Sequence, residues 1–91
     1  MQVRLFGTLR LFAGAKALEV ETEPGDTVRS LLGKVTTQCP TVGEKLLDEE
    51  GRLRNSVHVI VNGRSIRYLD RLDTPIEESD RVALFPAVGG G

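Results

Sequence analysis

Thr27-Val28-Arg29-Ser30-Leu31-Leu32-Gly33-Lys34-Val35 is the stretch whose reading decides the fold. Val28, Leu31, Leu32 and Val35 recur at i, i+3, i+4 and i+7, which lines one face of an α-helix with apolar side chains. Glu23-Pro24-Gly25 before it reads as a turn, and Asp26 or Thr27 can cap the first free backbone N–H groups. Gly33 weakens the helix slightly. Pro40 stops it and pushes Cys39 toward an extended conformation. One amphipathic helix needs an apolar surface to cover, and the flanking segments read as strands that supply it.

Upstream, Gln2-Val3-Arg4-Leu5-Phe6 alternates polar and apolar residues, with Val3 and Leu5 on one face and Arg4 and Phe6 on the other. Gly7 and Gly14 bracket a segment that reads as turn or loop, pinned to the core by Leu11 and Phe12. Leu18-Glu19-Val20-Glu21 alternates again and predicts a hairpin partner for the first strand. Downstream, Val42 to Leu47 predicts a short second helix, with Leu46 and Leu47 reaching inward. Val57-His58-Val59-Ile60-Val61 is β-branched and nearly continuous in apolar character, which predicts a central strand with both faces partly covered. Asn62-Gly63 is a strong hairpin turn signal. Ile66 and Leu69 are expected to pack at the edge. Leu72 to Asp80 reads as loop, with Pro75 as a breaker. Arg81-Val82-Ala83-Leu84-Phe85 is the last strand and Pro86 ends it. The order is strand, strand, helix, strand, short elements, strand. It predicts an α+β fold of the β-grasp type: a mixed sheet, one main helix packed across it, and the first and last strands side by side in parallel.

Ninety-one residues suit one domain without a large internal cavity. A deep active site built by this chain alone is not expected. Hydrophobic residues make up 40% and charged residues 27%, as in soluble globular proteins. The net charge of -1 and pI near 5.8 argue against nucleic acid as a main partner. The single cysteine, Cys39, excludes an internal disulfide and a multi-cysteine zinc site. No apolar run approaches a membrane span, and Met1-Gln2-Val3-Arg4-Leu5 lacks signal-peptide character, so a cytoplasmic protein without membrane partners is expected.

Across nearly its whole length the chain resembles the MoaD/ThiS family of ubiquitin-like sulfur carriers. Val3-Arg4-Leu5-Phe6-Gly7 is similar to that family's first strand, and Gly25-Asp26-Thr27-Val28 to the start of its helix. The most specific match is Asp80-Arg81-Val82-Ala83-Leu84-Phe85-Pro86-Ala87-Val88-Gly89-Gly90-Gly91. It resembles the family's final strand, Phe-Pro step and terminal Gly-Gly, with Gly89 standing where relatives often carry another small residue. The resemblance implies a β-grasp domain over residues 1–86 and a flexible tail over 87–91, whose working group is the carboxylate of Gly91. The alternative reading of the glycines is an inert, disordered tail.

A C-terminal carboxylate is ionised at neutral pH and is a poor electrophile. The resemblance implies that a ubiquitin-activating-type adenylyltransferase uses ATP to convert Gly91 to an acyl-adenylate. Sulfide from a donor then displaces AMP and leaves a thiocarboxylate. The carrier itself holds no cofactor or metal and is not an enzyme. Gly89 and Gly90 lack Cβ atoms and can thread a narrow channel in the partner. Phe6 and Phe85 are offset by one residue from the inward-facing positions of their strands, which predicts an exposed aromatic pair near the tail. Matching family residues contact the activating enzyme and the catalytic subunit of molybdopterin synthase, which implies partner contacts for Phe6, Phe85, Pro86 and Val88. The competing reading puts both rings in the core.

The first expected acceptor is a molybdopterin-synthase large subunit, in molybdenum cofactor biosynthesis. The second is another thiocarboxylate-consuming system, such as a cysteine-synthase-like enzyme or tRNA thiolation. Asn62-Gly63-Arg64-Ser65-Ile66-Arg67-Tyr68-Leu69 resembles the cysteine-pathway carriers and archaeal modifiers more than the short hairpin of many bacterial molybdopterin subunits. A reading of a different class is a protein modifier joined through Gly91 to lysines, and the blandest is a β-grasp binding module. Cys39, at a helix C-terminus that disfavours a thiolate, reads as structural. His58 has no cysteine or carboxylate partner in sequence. Asp48-Glu49-Glu50 lacks a calcium-loop pattern. Arg64, Arg67 and Arg71 form a local basic cluster, solvated or facing an acidic patch on a partner.

Overall fold

The computed structural model describes residues 1–86. The expected tail, including Val88, Gly89, Gly90 and Gly91, lies outside the described residues. Strand β1 is Gln2–Leu5, β2 Ala17–Glu19, β3 His58–Val61, β4 Arg64–Ser65 and β5 Val82–Phe85. Helix α1 is Leu9–Ala13, α2 Val28–Gln38 and α3 Pro40–Leu46. The five strands form one mixed β-grasp sheet in the order β2-β1-β5-β3-β4. β1 and β5 run parallel, with Val3 opposite Val82, Arg4 opposite Ala83 and Leu5 opposite Leu84, as the sequence predicts.

The main helix forms for the reasons visible in its sequence. Thr27 is its N-cap: its hydroxyl accepts from the Ser30 amide, and the Ser30 hydroxyl accepts from the Thr27 amide, a reciprocal capping box. Val28, Leu31, Leu32 and Val35 are fully buried, each burial contributing roughly 1.5–3 kcal/mol relative to exposure. They pack against Val3, Leu5, Val59, Val61, Val82 and Leu84 from the inner face of the sheet. Cys39 is extended, at φ -141 and ψ 85, and joins α2 to α3. Pro40 therefore both stops α2 and opens α3, as the first helical position favours proline. Leu46 is fully buried and Leu47 half-buried.

One sequence expectation changes. Gly7 to Gly14 is not a plain loop but carries helix α1, and its core anchor is Leu9, not Leu11 or Phe12. Leu9 is fully buried, whereas Leu11 and Phe12 are 81% and 43% exposed. In one helical turn only the i, i+4 pair Leu9 and Ala13 faces the core, and Ala13 packs on it. Strand β3 is an interior strand, between β5 and β4, and its two faces are covered unequally. Val57, Val59 and Val61 are buried, His58 is exposed and Ile60 half-buried, because the helices cover one face only. The middle strand is β5, with β3 beside it. Leu72 to Asp80 is loop and turn as expected, apart from the end of the 3-10 turn Arg71–Asp73, and it is tied to the start of α2: the Val28 amide donates to the Thr74 carbonyl and the Ile76 amide to the Asp26 carbonyl. Ile76 is buried as a result.

Asn62 and Gly63, both at positive φ (52 and 84), turn β3 into β4 as the hairpin signal predicts. Asn62 also fixes the start of β5. Its side-chain oxygen accepts from the Arg81 amide at 2.9 Å, and its side-chain amide donates to Asp80 at 2.9 Å. Among the described residues no helix is long and apolar enough to cross a membrane.

Candidate functional site: the outer sheet face beside the tail

The parallel β1–β5 pair carries Leu5 and Leu84 inward, so the next residues, Phe6 and Phe85, emerge on the opposite face. Their rings stack with centroids 4.4 Å apart and planes 8° from parallel. Both are half-buried, against each other and not in the core. The rings therefore lie on the outer face of the sheet and outside the core cluster.

Two cations frame the stack. The Arg10 guanidinium lies 4.9 Å from the Phe6 ring centroid and that of Arg4 lies 5.4 Å from it. Arg10 is held there by its Nε, which donates to the Leu5 carbonyl at 2.7 Å. Helix α1 thus contributes to the site through Arg10, which the sequence reading did not single out. Its only sequence signal is the Gly7 and Gly14 bracket that makes the short helix. A shallow open groove of about 540 Å³ continues from the stack across Arg4, Ile60 and Ala83 to Arg81. His58 lies directly opposite Phe85 in the β3–β5 register and is exposed.

Pro86, the last described residue, is half-buried and packs over Gly7. The aromatic pair and the point from which residues 87–91 depart are therefore adjacent. Val88, Gly89, Gly90 and Gly91 lie outside the described residues.

The sequence matches the ThiS family over residues 3–91. The chain belongs to this family. The family comprises ubiquitin-like sulfur carriers and modifiers, small proteins that are not themselves catalysts. Small archaeal modifier protein 3 of Haloferax volcanii is 30% identical over 91 residues, which cover all of this chain and 98% of that one. The crystal structure of small archaeal modifier protein 1 from the same organism superposes with a TM-score of 0.88 at 27% identity, over 100% of this chain and 98% of that one. CysO in the BexX/CysO complex of Amycolatopsis orientalis gives 0.82 at 27% identity, covering 99% and 98%. A Pyrococcus furiosus protein provisionally assigned as molybdopterin converting factor, subunit 1, gives 0.75 at 27%, covering 96% and 95%.

The remaining candidate residues of this family member sit apart from the stack. Cys39 is half-buried between α2 and α3, its sulfur 3.6 Å from the Thr41 hydroxyl. Asp48 closes its own turn by accepting from the Glu50 and Arg52 amides at 2.9 Å each. The Arg52 amide, first, and that of Glu50 hold its carboxyl below the usual range. Among the described residues no group of three or more His, Cys, Asp or Glu is placed to hold a metal ion. Arg67 and Arg71 line one groove, but Arg64 does not join them; Arg29 and Arg54 do.

Proposed function

We propose that this chain is a sulfur carrier activated at Gly91. A partner adenylyltransferase of the ubiquitin-activating type binds the outer sheet face, and the Gly91 carboxylate attacks the α-phosphate of ATP, releasing pyrophosphate. Sulfide then attacks the carbonyl carbon of the acyl-adenylate, AMP leaves with the bonding pair, and a thiocarboxylate remains. The carrier needs no bound cofactor for this. It contributes position: a rigid aromatic patch that docks and a glycine tail that reaches.

The observation that carries the reading is the Phe6–Phe85 stack beside Pro86. A half-exposed aromatic pair framed by arginines is the composition found at the centre of binding surfaces. Here it sits where a partner can hold the domain and receive the tail in one encounter. Backbone pairing of an extended tail with the partner would offset the ordering of its residues.

For the acceptor, likenesses support different readings. That to the Pyrococcus protein supports a molybdopterin-synthase large subunit. The BexX/CysO complex supports a separate sulfur-accepting enzyme, of the cysteine-synthase-like or another biosynthetic kind. The archaeal modifiers support conjugation through Gly91 to lysines.

The deciding experiment is intact mass spectrometry after incubation with a family adenylyltransferase, ATP and sulfide. Exchange of one oxygen for sulfur, absent from a variant lacking Gly90 and Gly91, is the expected result. No exchange with several such enzymes would reduce the chain to a binding module. A ladder of covalent adducts in native cells, lost on deleting Gly91, would establish conjugation.

A further inference from the structure

A second groove, of about 600 Å³, lies between the start of α2, the segment before β3 and the two 3-10 turns Ile66–Tyr68 and Arg71–Asp73. It shares no lining residue with the groove on the outer sheet face. Four exposed arginines line it: Arg29, Arg54, Arg67 and Arg71. Two aspartates, Asp70 and Asp73, stand among them, so the lining carries a net charge of +2 (four arginines less two aspartates) in a chain whose net charge is -1. Its floor is apolar, formed by Leu53, Ile66 and Leu72.

Two of the arginines are oriented without being neutralised. Arg54 donates through Nε to the Glu44 carbonyl at 2.9 Å, and Arg67 through one terminal nitrogen to the Asn55 carbonyl. A neutral carbonyl fixes a guanidinium and leaves its charge and remaining donors for an anion. Among the described residues, Arg29 alone of the four meets a carboxylate, Asp73 at 3.1 Å.

Arg71 is held at φ 54, a left-handed conformation that a long side chain rarely adopts. The buried Thr74 keeps it there: its hydroxyl donates to the Arg71 carbonyl at 2.7 Å and accepts from the Asp70 amide at 3.1 Å. Backbone strain maintained in this way is characteristic of positions with a binding task. Beside the groove, Tyr68 is 86% exposed on the same turn as Arg67, and tyrosine is enriched at interfaces.

We propose that this groove is a second docking surface, which takes an acidic peptide segment of a partner protein bearing apolar side chains. Oriented guanidinium groups meet the carboxylates, and Leu53, Ile66 and Leu72 receive the apolar side chains. The interleaved aspartates and apolar floor disfavour a continuous phosphate backbone. The proposal stands on its own geometry, separately from activation at Gly91.

The test uses the whole protein and a capped octapeptide of glutamates with two central leucines. Binding is read from amide and arginine Nε–H chemical shifts. Saturable shifts are expected at Arg54, Asn55, Arg67 and Arg71, weakening as salt rises. A peptide with lysine in place of glutamate should produce none. The double variant Arg67→Gln, Arg71→Gly should weaken binding about tenfold at unchanged melting temperature, because glycine accepts the left-handed position. The proposal is overturned by absent saturation, by shifts centred on Phe6 and Phe85, by equal affinity in the double variant, or by a single-stranded RNA dodecamer displacing the peptide.

Discussion

A Cβ placed on Gly7 would lie 2.9 Å from Cγ of Pro86. Gly7 is also at φ +56, which a residue with a Cβ adopts at a penalty of roughly 1–2 kcal/mol. The contact reaches Pro86, the last described residue. Gly7→Ala should lower stability by about 1–2 kcal/mol and displace Pro86. Activation by the adenylyltransferase should then slow more than the fraction unfolded explains. Activation rate and denaturant midpoint, measured together, check this; a normal rate would mean that Pro86 does not aim the tail.

The Phe6–Phe85 stack separates docking from folding. Removing one ring of a stacked pair loses roughly 0.5–1.5 kcal/mol beyond its burial, and both rings are half-exposed. Phe85→Arg should therefore keep the native fold. At the same time a cation would stand where Arg4 and Arg10 already frame the patch, so partner affinity should fall by about tenfold or more. Calorimetric titration with the adenylyltransferase, alongside a thermal melt, gives both readings. Gross unfolding would return the rings to a core role.

Much of this architecture is legible in the sequence because it rests on local rules. The periodicity from Val28 to Val35, the Thr27 cap, the Asn62-Gly63 turn and the one-residue offset of Phe6 and Phe85 each need only neighbouring residues to be read. What the sequence hides is tertiary. Nothing near Leu9 marks it over Leu11 as the buried member of α1, since that depends on where the sheet lies. Nothing in the chain between Arg29, Arg54, Arg67 and Arg71 indicates that they line one groove. The Gly7–Pro86 contact joins the two ends of the described chain through the parallel pairing. The expected partner contact at Val88 and the reactive end at Gly91 belong to residues outside the described ones.

Gly43 is another contact that only the fold reveals. It is buried where α3 crosses α2, and a Cβ there would meet both Oγ1 and Cγ2 of Thr36 at 2.5 Å. Alanine gains about 1 kcal/mol in helix propensity, whereas overpacking costs about 1–3 kcal/mol. The clash should win, because the Thr36 hydroxyl is itself bonded to the Leu32 carbonyl at 2.8 Å. Gly43→Ala should be destabilised by about 1–2 kcal/mol. A rise in the urea midpoint would show that the two helices separate freely.

Acid should probe the start of α2. Asp26 accepts from Lys34 Nζ at 2.7 Å and also from the Glu23 amide and the Ser30 hydroxyl. Lys34 first, and then these donors, lower its pKa from 3.8 to about 2. A depressed folded-state value means that the stabilisation is fully present above the ordinary carboxylate range and is lost as the pH falls toward 2. Asp26→Asn should be less stable than wild type at neutral pH. The difference should shrink between about pH 4 and pH 2. Melting curves across that range check the sign; a gap that stays constant would mean that the Asp26 charge does not support the helix start.

Gly90→Ala tests the tail. Ordering an extended tail costs roughly 1–2 kcal/mol per residue, and backbone hydrogen bonds to a partner offset this only where the chain approaches closely. A methyl group at the penultimate position obstructs that approach and narrows the accessible backbone angles. Gly90 lies outside the described residues, whose core is built between Met1 and Leu84. The variant should therefore melt with wild type while its single-turnover release of pyrophosphate falls by about tenfold or more, the size expected when a reacting group is misplaced. Equal rates at matched melting temperature would remove the threading role assigned to the glycines. A slow rate restored by saturating adenylyltransferase would assign the loss to binding, and one that persists at saturation would assign it to alignment of the Gly91 carboxylate with ATP.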